Sequence, residues 1–163
     1  MKEIPLTQGQ VTLVDDQDFA FLSQWKWYAH ENKKDRWQAV RNYRRHEKRG
    51  LLLMHRLLLG APDGKEVDHI DGDGLNNSRR NLRLSTRQEN SRNTRKWRRR
   101  TTSRFKGVWW DGRPGRRKWG VRITINGRSK HLGTFCSEEV AASAYDSAAL
   151  TYFGRFARPN FPR

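Results

Sequence analysis

Apolar residues in this chain come in short clusters, and the spacing within each cluster predicts its element. Val11, Leu13 and the flanking Thr12 and Val14 read as a strand that stops at Asp15-Asp16. Phe19, Leu22 and Trp25 recur every three residues and predict a short helix. Trp37 to Tyr43 and Leu51 to Met54 predict the strands of a hairpin, joined by a charged turn that ends at Gly50. Trp25, Trp27, Tyr28 and Trp37 are assigned to packing, because so short a region needs large side chains to enclose any interior. His55 to Gly60 predicts a short helix or turn, stopped by Gly60 and Pro62.

Val67 to Ile70 should be extended, and Asp71-Gly72-Asp73-Gly74 supplies turn residues that tolerate positive φ. Asn81-Leu82-Arg83-Leu84 alternates and should pair back as a second strand. Thr86 with Glu89 forms a capping box, so a helix is expected from Arg87, with Asn90 facing the strand that carries His69. The order is strand, loop, strand, helix. From Arg104 the pattern restarts. Gly107 to Trp110 is a strand, Asp111 to Gly115 a turn, and Trp119 to Ile125 an alternating strand with Asn126-Gly127 as a type I′ turn. Ser129 to Phe135 returns as a third strand, and Ser137 caps a helix running to Gly154. Val121, Ile123 and Ile125 should meet that helix, leaving Arg122 and Thr124 on the outer face.

Charge turns this α+β pattern toward a polyanion. The 163 residues carry a formal charge of +17. Between Arg79 and Lys130 stand 19 basic residues against two acids, Glu89 and Asp111, with Trp97, Trp109, Trp110 and Trp119 interleaved. Such a surface binds phosphate through counterion release. Arg98, Arg99 and Arg100, in a basic segment without apolar alternation, are expected to track a DNA backbone. An anionic membrane is the weaker competitor, since no amphipathic helix with bulky anchors accompanies the charge. Only 34% of residues are hydrophobic, and no stretch approaches the roughly 18 apolar residues of a membrane span. Cys136 is the one cysteine, which excludes an internal disulfide and a paired-cysteine zinc site. Met1 to Thr7 lacks the apolar core of a secretory signal, so an intracellular protein is expected.

Cutting a phosphodiester needs activated water, charge neutralisation and help for the leaving oxygen. Asp68 offers a carboxylate and Asn90 an amide oxygen to a hard cation such as Mg²⁺. His69, on the opposite side of the strand from Asp68, is placed as the general base. Asn81 on the returning strand is placed as its orienter. Singly, an Asp-His pair is more often a turn or surface pair, and an Asn in a basic helix more often solvated. The four together, with the capping box in place, favour chemistry. His55 and Arg56 stay open between phosphate contact and core, outside the catalytic set.

Val67-Asp68-His69, Asn77, Asn81-Leu82-Arg83 and Gln88-Glu89-Asn90-Ser91-Arg92-Asn93 resemble an HNH homing endonuclease of the phage type, over about residues 50–96. The resemblance implies a ββα-metal (His-Me finger) core, one divalent cation and His69 as base. Asn90 stands where many members carry a final His, which favours Mg²⁺ or Mn²⁺ over a nitrogen-preferring metal. Lys106-Gly107-Val108, Leu132-Gly133-Thr134-Phe135, Glu138 to Ala149 and Asn160-Phe161-Pro162 resemble the Apetala2/ethylene-response DNA-binding domain, over about residues 104–162. That resemblance implies a three-stranded sheet lying in the major groove, with contacts at Lys106, Trp109, Arg122, Thr124, His131, Thr134 and Tyr145. Arg122 and His131 differ from the acid and Trp common at those positions, so the target sequence does not carry over.

Four segments are therefore expected: a strand-rich lead-in (1–54), a nuclease core (55–96), a basic linker (97–103) and a DNA-binding domain (104–163). The expected function is a monomeric, site-selective endonuclease on double-stranded DNA that nicks one strand, with no membrane and no obligate protein partner. If phage-borne, it works in a bacterial cytoplasm. The rival readings are a non-catalytic DNA-binding regulator and a basic RNA-binding protein.

Overall fold

The computed structural model describes residues 1–33, 36–45, 48–94, 102–113 and 118–161, which divide into two compact units, Met1–Asn90 and Ser91–Arg163. In the first unit, β1 (Lys2–Pro5) and β2 (Val11–Val14) form an antiparallel hairpin, followed by α1 (Asp16–Leu22). Next comes a three-stranded antiparallel sheet in the order β3 (Tyr28–Lys33), β4 (Arg36–Arg45), β5 (Lys48–Leu53). Then come α2 (Met54–Leu59), the antiparallel pair β6 (Glu66–His69) and β7 (Leu82–Ser85), and α3 (Arg87–Arg92).

The expected strand at Val11–Val14 and the strand-loop-strand-helix order are present, and the hairpin expected from Trp37 to Tyr43 and Leu51 to Met54 is β4 with β5, except that Met54 opens α2. Two strands, β1 and β3, lie outside the pattern read from the sequence. β1 buries only Ile4, and β3 is a polar segment whose buried residue is the small Ala29, so neither shows an apolar alternation to detect. Gly50, expected in the hairpin turn, lies within β5 opposite Tyr43, whose ring covers the space a Cβ would fill. α1 stops before Trp25. At the helix end the Leu22 carbonyl accepts from the Trp27 indole Nε1 at 2.9 Å and from the Trp25 N–H at 3.3 Å.

One hydrophobic cluster runs through this unit. Ile4, Val14, Leu22, Trp27 and Ala39 pack with Met54, Leu58, Val67 and Leu82, so residues before and after position 54 share a single core. α3 starts on the predicted capping box. Thr86 N–H donates to Glu89 Oε2 at 2.7 Å, and Glu89 N–H donates to Thr86 Oγ1 at 3.2 Å.

The second unit is a three-stranded antiparallel sheet, ordered β10 (Arg128–Phe135), β9 (Lys118–Ile125), β8 (Val108–Asp111), with α4 (Glu138–Phe153) packed on one face. Asn126 (φ 50°) and Gly127 (φ 79°) both take the left-handed region that a type I′ turn requires. Val121, Ile123, Ala141, Ala142, Tyr145 and Ala149 form the core, small helix residues letting α4 lie close to the sheet. Ser137 Oγ caps α4 by accepting from the N–H groups of Glu139 and Val140. Among the described residues, no helix is long and apolar enough to cross a membrane.

Gly107 adopts φ +77°, and a Cβ there would stand 2.1 Å from the Tyr145 ring and 2.7 Å from the Arg122 carbonyl. Gly107→Ala should therefore destabilise the second unit by about 3 kcal/mol, read as a lower urea midpoint at unchanged slope.

Candidate active site

The β6–β7 register decides which groups meet. Asp68 lies opposite Arg83, Glu66 opposite Ser85 and His69 opposite Leu82. Alternation puts Glu66 and Asp68 on one side of β6, and Val67 and His69 on the other. Buried Asp68 Oδ2 accepts from Arg83 Nε at 2.8 Å and Nη2 at 2.5 Å. From α3, Asn90 Nδ2 donates to Glu66 Oε2 at 2.6 Å. Asn90 thus faces β6, as its position one turn into the helix predicts. Glu66, Asp68 and Asn90 form an oxygen-rich set on one side of this hairpin, a donor type that suits a hard cation. The cation that Asp68 meets in this structure is the Arg83 guanidinium. Among the described residues, no three His, Cys, Asp or Glu side chains gather into a complete metal cage.

His69 ends β6 and is buried, 8% exposed. Burial holds its pKa below the ordinary value, while the Asn77 hydrogen bond and the carboxylates of Asp71, Asp68 and Asp73 pull the other way. The result is a neutral imidazole at neutral pH, the form a general base needs.

The expected orienter sits one step further back. Asn81 Nδ2 gives its hydrogens to Asp71 Oδ1 (2.9 Å) and the Asn76 carbonyl (2.8 Å), and Asn81 Oδ1 accepts from Asp71 N–H at 3.0 Å. Its backbone carbonyl accepts from Ile70 N–H at 2.9 Å. The amide of Asn81 therefore holds the loop that follows His69, because its donors are spent there. The amide facing the imidazole is that of Asn77, whose Oδ1 lies 3.3 Å from His69 Nε2.

His55 belongs to the core beside His69. Its ring stands edge-on to that of His69, centroids 5.0 Å apart, and it is 4% exposed. Its Nδ1 has no hydrogen-bond partner among the described residues. Burial, then the charges of His69 and Arg56, pushes its pKa down to about 3. Arg56 is structural: its guanidinium donates to the carbonyls of Lys65 (2.7 Å), Ala61 (3.1 Å) and Pro62 (3.2 Å), pinning the loop after α2.

In the second unit, Trp109, Arg122, Thr124, His131 and Thr134 share the sheet face opposite α4. The Trp109 ring lies across Gly120, with Arg122 5.4 Å above it and the His131 ring 5.8 Å away. Two expected contacts lie elsewhere. Tyr145 is 4% exposed within the core, and burial raises its pKa to about 12. Lys106 Nζ donates to the carbonyls of Arg92 (2.7 Å) and Thr94 (3.0 Å). Burial first, then Arg158, lowers the Lys106 pKa to about 8. Tyr145 thus lies in the core and the half-buried Lys106 on two backbone carbonyls of the same unit. Arg98, Arg99 and Arg100 lie outside the described residues.

Glu66, Arg83, Asn77 and Thr12 were not picked out by their chemistry in the sequence. Glu66 could have been, since it stands two residues from Asp68 on the same strand. The others depend on cross-strand or long-range pairing.

A family model described as HNH endonuclease matches residues 54–92. Over 159 residues the chain is 30% identical to an uncharacterised HNH endonuclease of Acanthamoeba polyphaga mimivirus, covering 94% of this chain and 76% of that one. The chain belongs to the HNH endonuclease family. Protein 3.8 of Escherichia phage T7 is 36% identical over 97 residues, 60% of this chain and 77% of the phage protein. This HNH chain is also 43% identical over 65 residues to an AP2-like ethylene-responsive transcription factor of Arabidopsis thaliana. That match covers 40% of this chain and 20% of the plant protein.

His55 links the site to acid stability. Its pKa is 6.5 when unfolded and about 3 when folded, so between these values the unfolded chain binds more protons. The stability that rests on neutral His55 is complete above pH 6.5 and is lost as pH falls toward 3. His55→Phe should flatten this acid limb by up to about 1.4 kcal/mol per pH unit in urea unfolding between pH 4 and pH 6.

Proposed function

We propose that the chain is a site-selective, metal-dependent DNA endonuclease of the homing type that nicks one strand. The observation that carries this reading is the neutral, buried His69 at the end of β6, with Asp68 on the same strand and Asn90 on the helix that packs beside it. The β6, β7, α3 order is then a ββα-metal core. Asp68 and Asn90 would hold Mg²⁺ or Mn²⁺, with waters and phosphate completing the shell, since a magnesium-type ion keeps much of its hydration. When bound, the ion supplies charge neutralisation at the phosphate and at the leaving oxygen. His69 takes a proton from water, the water oxygen bonds to phosphorus, and the P–O3′ bond breaks to leave a 5′ phosphate and a 3′ oxygen that takes a proton from solvent. Asn81 keeps the loop after His69 in place.

Trp109, Arg122, Thr124, His131 and Thr134 form the face that enters the major groove of double-stranded DNA. The basic segment with Arg98, Arg99 and Arg100 follows the backbone. The chain acts as an intracellular monomer, and one active site cuts one strand per docking event.

On supercoiled plasmid with Mg²⁺, the chain should yield open circles, and chelation should stop the reaction. His69→Ala should lower the nicking rate by about 10²- to 10⁴-fold. Binding without nicking in either ion would instead identify a non-catalytic DNA-binding regulator.

Joint replacement Trp109→Ala with Arg122→Ala should weaken binding to a preferred duplex by about tenfold or more. Nonspecific plasmid nicking should fall less. Equal losses on both substrates would remove the sheet face from recognition.

A further inference from the structure

We propose that Asn77 sets the tautomer of His69, and that Thr12, on β2 near the start of the chain, locks Asn77 in the orientation that does so. The catalytic meaning rests on His69 acting as the base; the hydrogen-bond assignment does not.

The argument starts from a carbonyl, which can only accept. Thr12 Oγ1 lies 2.7 Å from the Leu75 carbonyl oxygen, so the single hydroxyl hydrogen goes there. The other neighbour, the Met54 thioether at 4.0 Å, is a far weaker acceptor. With its hydrogen committed, the Thr12 oxygen must accept from the Asn77 side chain 2.8 Å away. That atom is therefore Nδ2, which turns Asn77 Oδ1 toward His69 Nε2 at 3.3 Å. An amide oxygen only accepts, so Nε2 carries the imidazole hydrogen. A neutral imidazole has one N–H, which leaves Nδ1 as the basic nitrogen.

With the Thr12 hydrogen held by the Leu75 carbonyl, flipping the amide would set the Asn77 oxygen against the lone pairs of Thr12 Oγ1 at 2.8 Å. Thr12 and Asn77 are each 0% exposed, so no bulk water relieves that cost. The backbone fixes both ends: Leu13 N–H donates to Leu75 O at 2.9 Å, and Asn77 N–H donates to Leu13 O at 2.8 Å. Asn77 and Thr12 are positioning residues, since neither is placed to touch substrate.

The test is a histidine side-chain ¹H–¹⁵N multiple-bond spectrum of the full chain without metal or DNA, with His69 assigned by its loss in His69→Gln. The expected pattern is a protonated, pyrrole-type Nε2 and a bare, pyridine-type Nδ1. The reverse pattern overturns the proposal. Thr12→Val keeps the shape of the side chain without its hydroxyl. It should give a mixture of tautomers and an about tenfold lower kcat for nicking at unchanged KM, and Thr12→Ser should restore both. An unchanged spectrum in Thr12→Val overturns the lock. The wild-type spectrum decides the assignment even where Thr12→Val does not fold. A chain that never nicks DNA but keeps its hydrogen on Nε2 sinks the nuclease reading and supports the tautomer assignment. A chain that nicks with the hydrogen on Nδ1 does the opposite.

Discussion

The first unit depends on a short seam of backbone hydrogen bonds between β2 and the loop that follows His69. Leu13 exchanges bonds with Leu75 and Asn77, forming a parallel bridge to Asn76. Without this seam the loop would carry buried amides and carbonyls with nothing to satisfy them. Charged groups reinforce the same junction. Asp15 accepts from the Arg79 N–H at 2.7 Å, and Asp18 takes a two-pronged bond from the Arg79 guanidinium at 2.7 and 2.8 Å. Two segments more than sixty residues apart are thus joined by backbone, amide and ion pair together.

That junction explains how a chain so rich in charge keeps a neutral imidazole at its site. His69 is shielded by Val67 and Leu82 in the core beside it, by the His55 ring, and by the loop held over β2. Its carboxylate neighbours are engaged locally: Asp68 faces Arg83, while Asp71 and Asp73 accept from the backbone of their own turn. His69 and Asp68 are therefore buried among engaged partners, in a chain whose formal net charge is +17.

Much of this was legible from local pattern. The capping box at Thr86, the type I′ turn at Asn126-Gly127 and the alternation through Val121 and Ile123 are short-range signals, and each marks an element where it stands. The sequence also singled out Asp68, His69 and Asn90. It missed the partners that arise only when distant segments meet. Thr12 looked like one residue of a strand, and Asn77 entered only through the family resemblance, with no role of its own. Their meaning comes from a tertiary pairing with no periodic signature. Lys106 and Tyr145 were expected at the DNA face, and the structure sets Tyr145 in the core and Lys106 on two backbone carbonyls. A motif match transfers residue identity, whereas burial depends on what packs around it, as Gly107 beneath the Tyr145 ring shows.

The shared core across position 54 bears on how such proteins are assembled during evolution. A segment beginning at His55 would carry the recognisable motif but leave behind Thr12, Val14 and Trp27, and with them half of its own interior. The smallest segment that keeps this interior whole is the unit Met1–Asn90 with the end of α3 at Arg92. Recombination that spares this interior is thereby confined to the chain beyond α3.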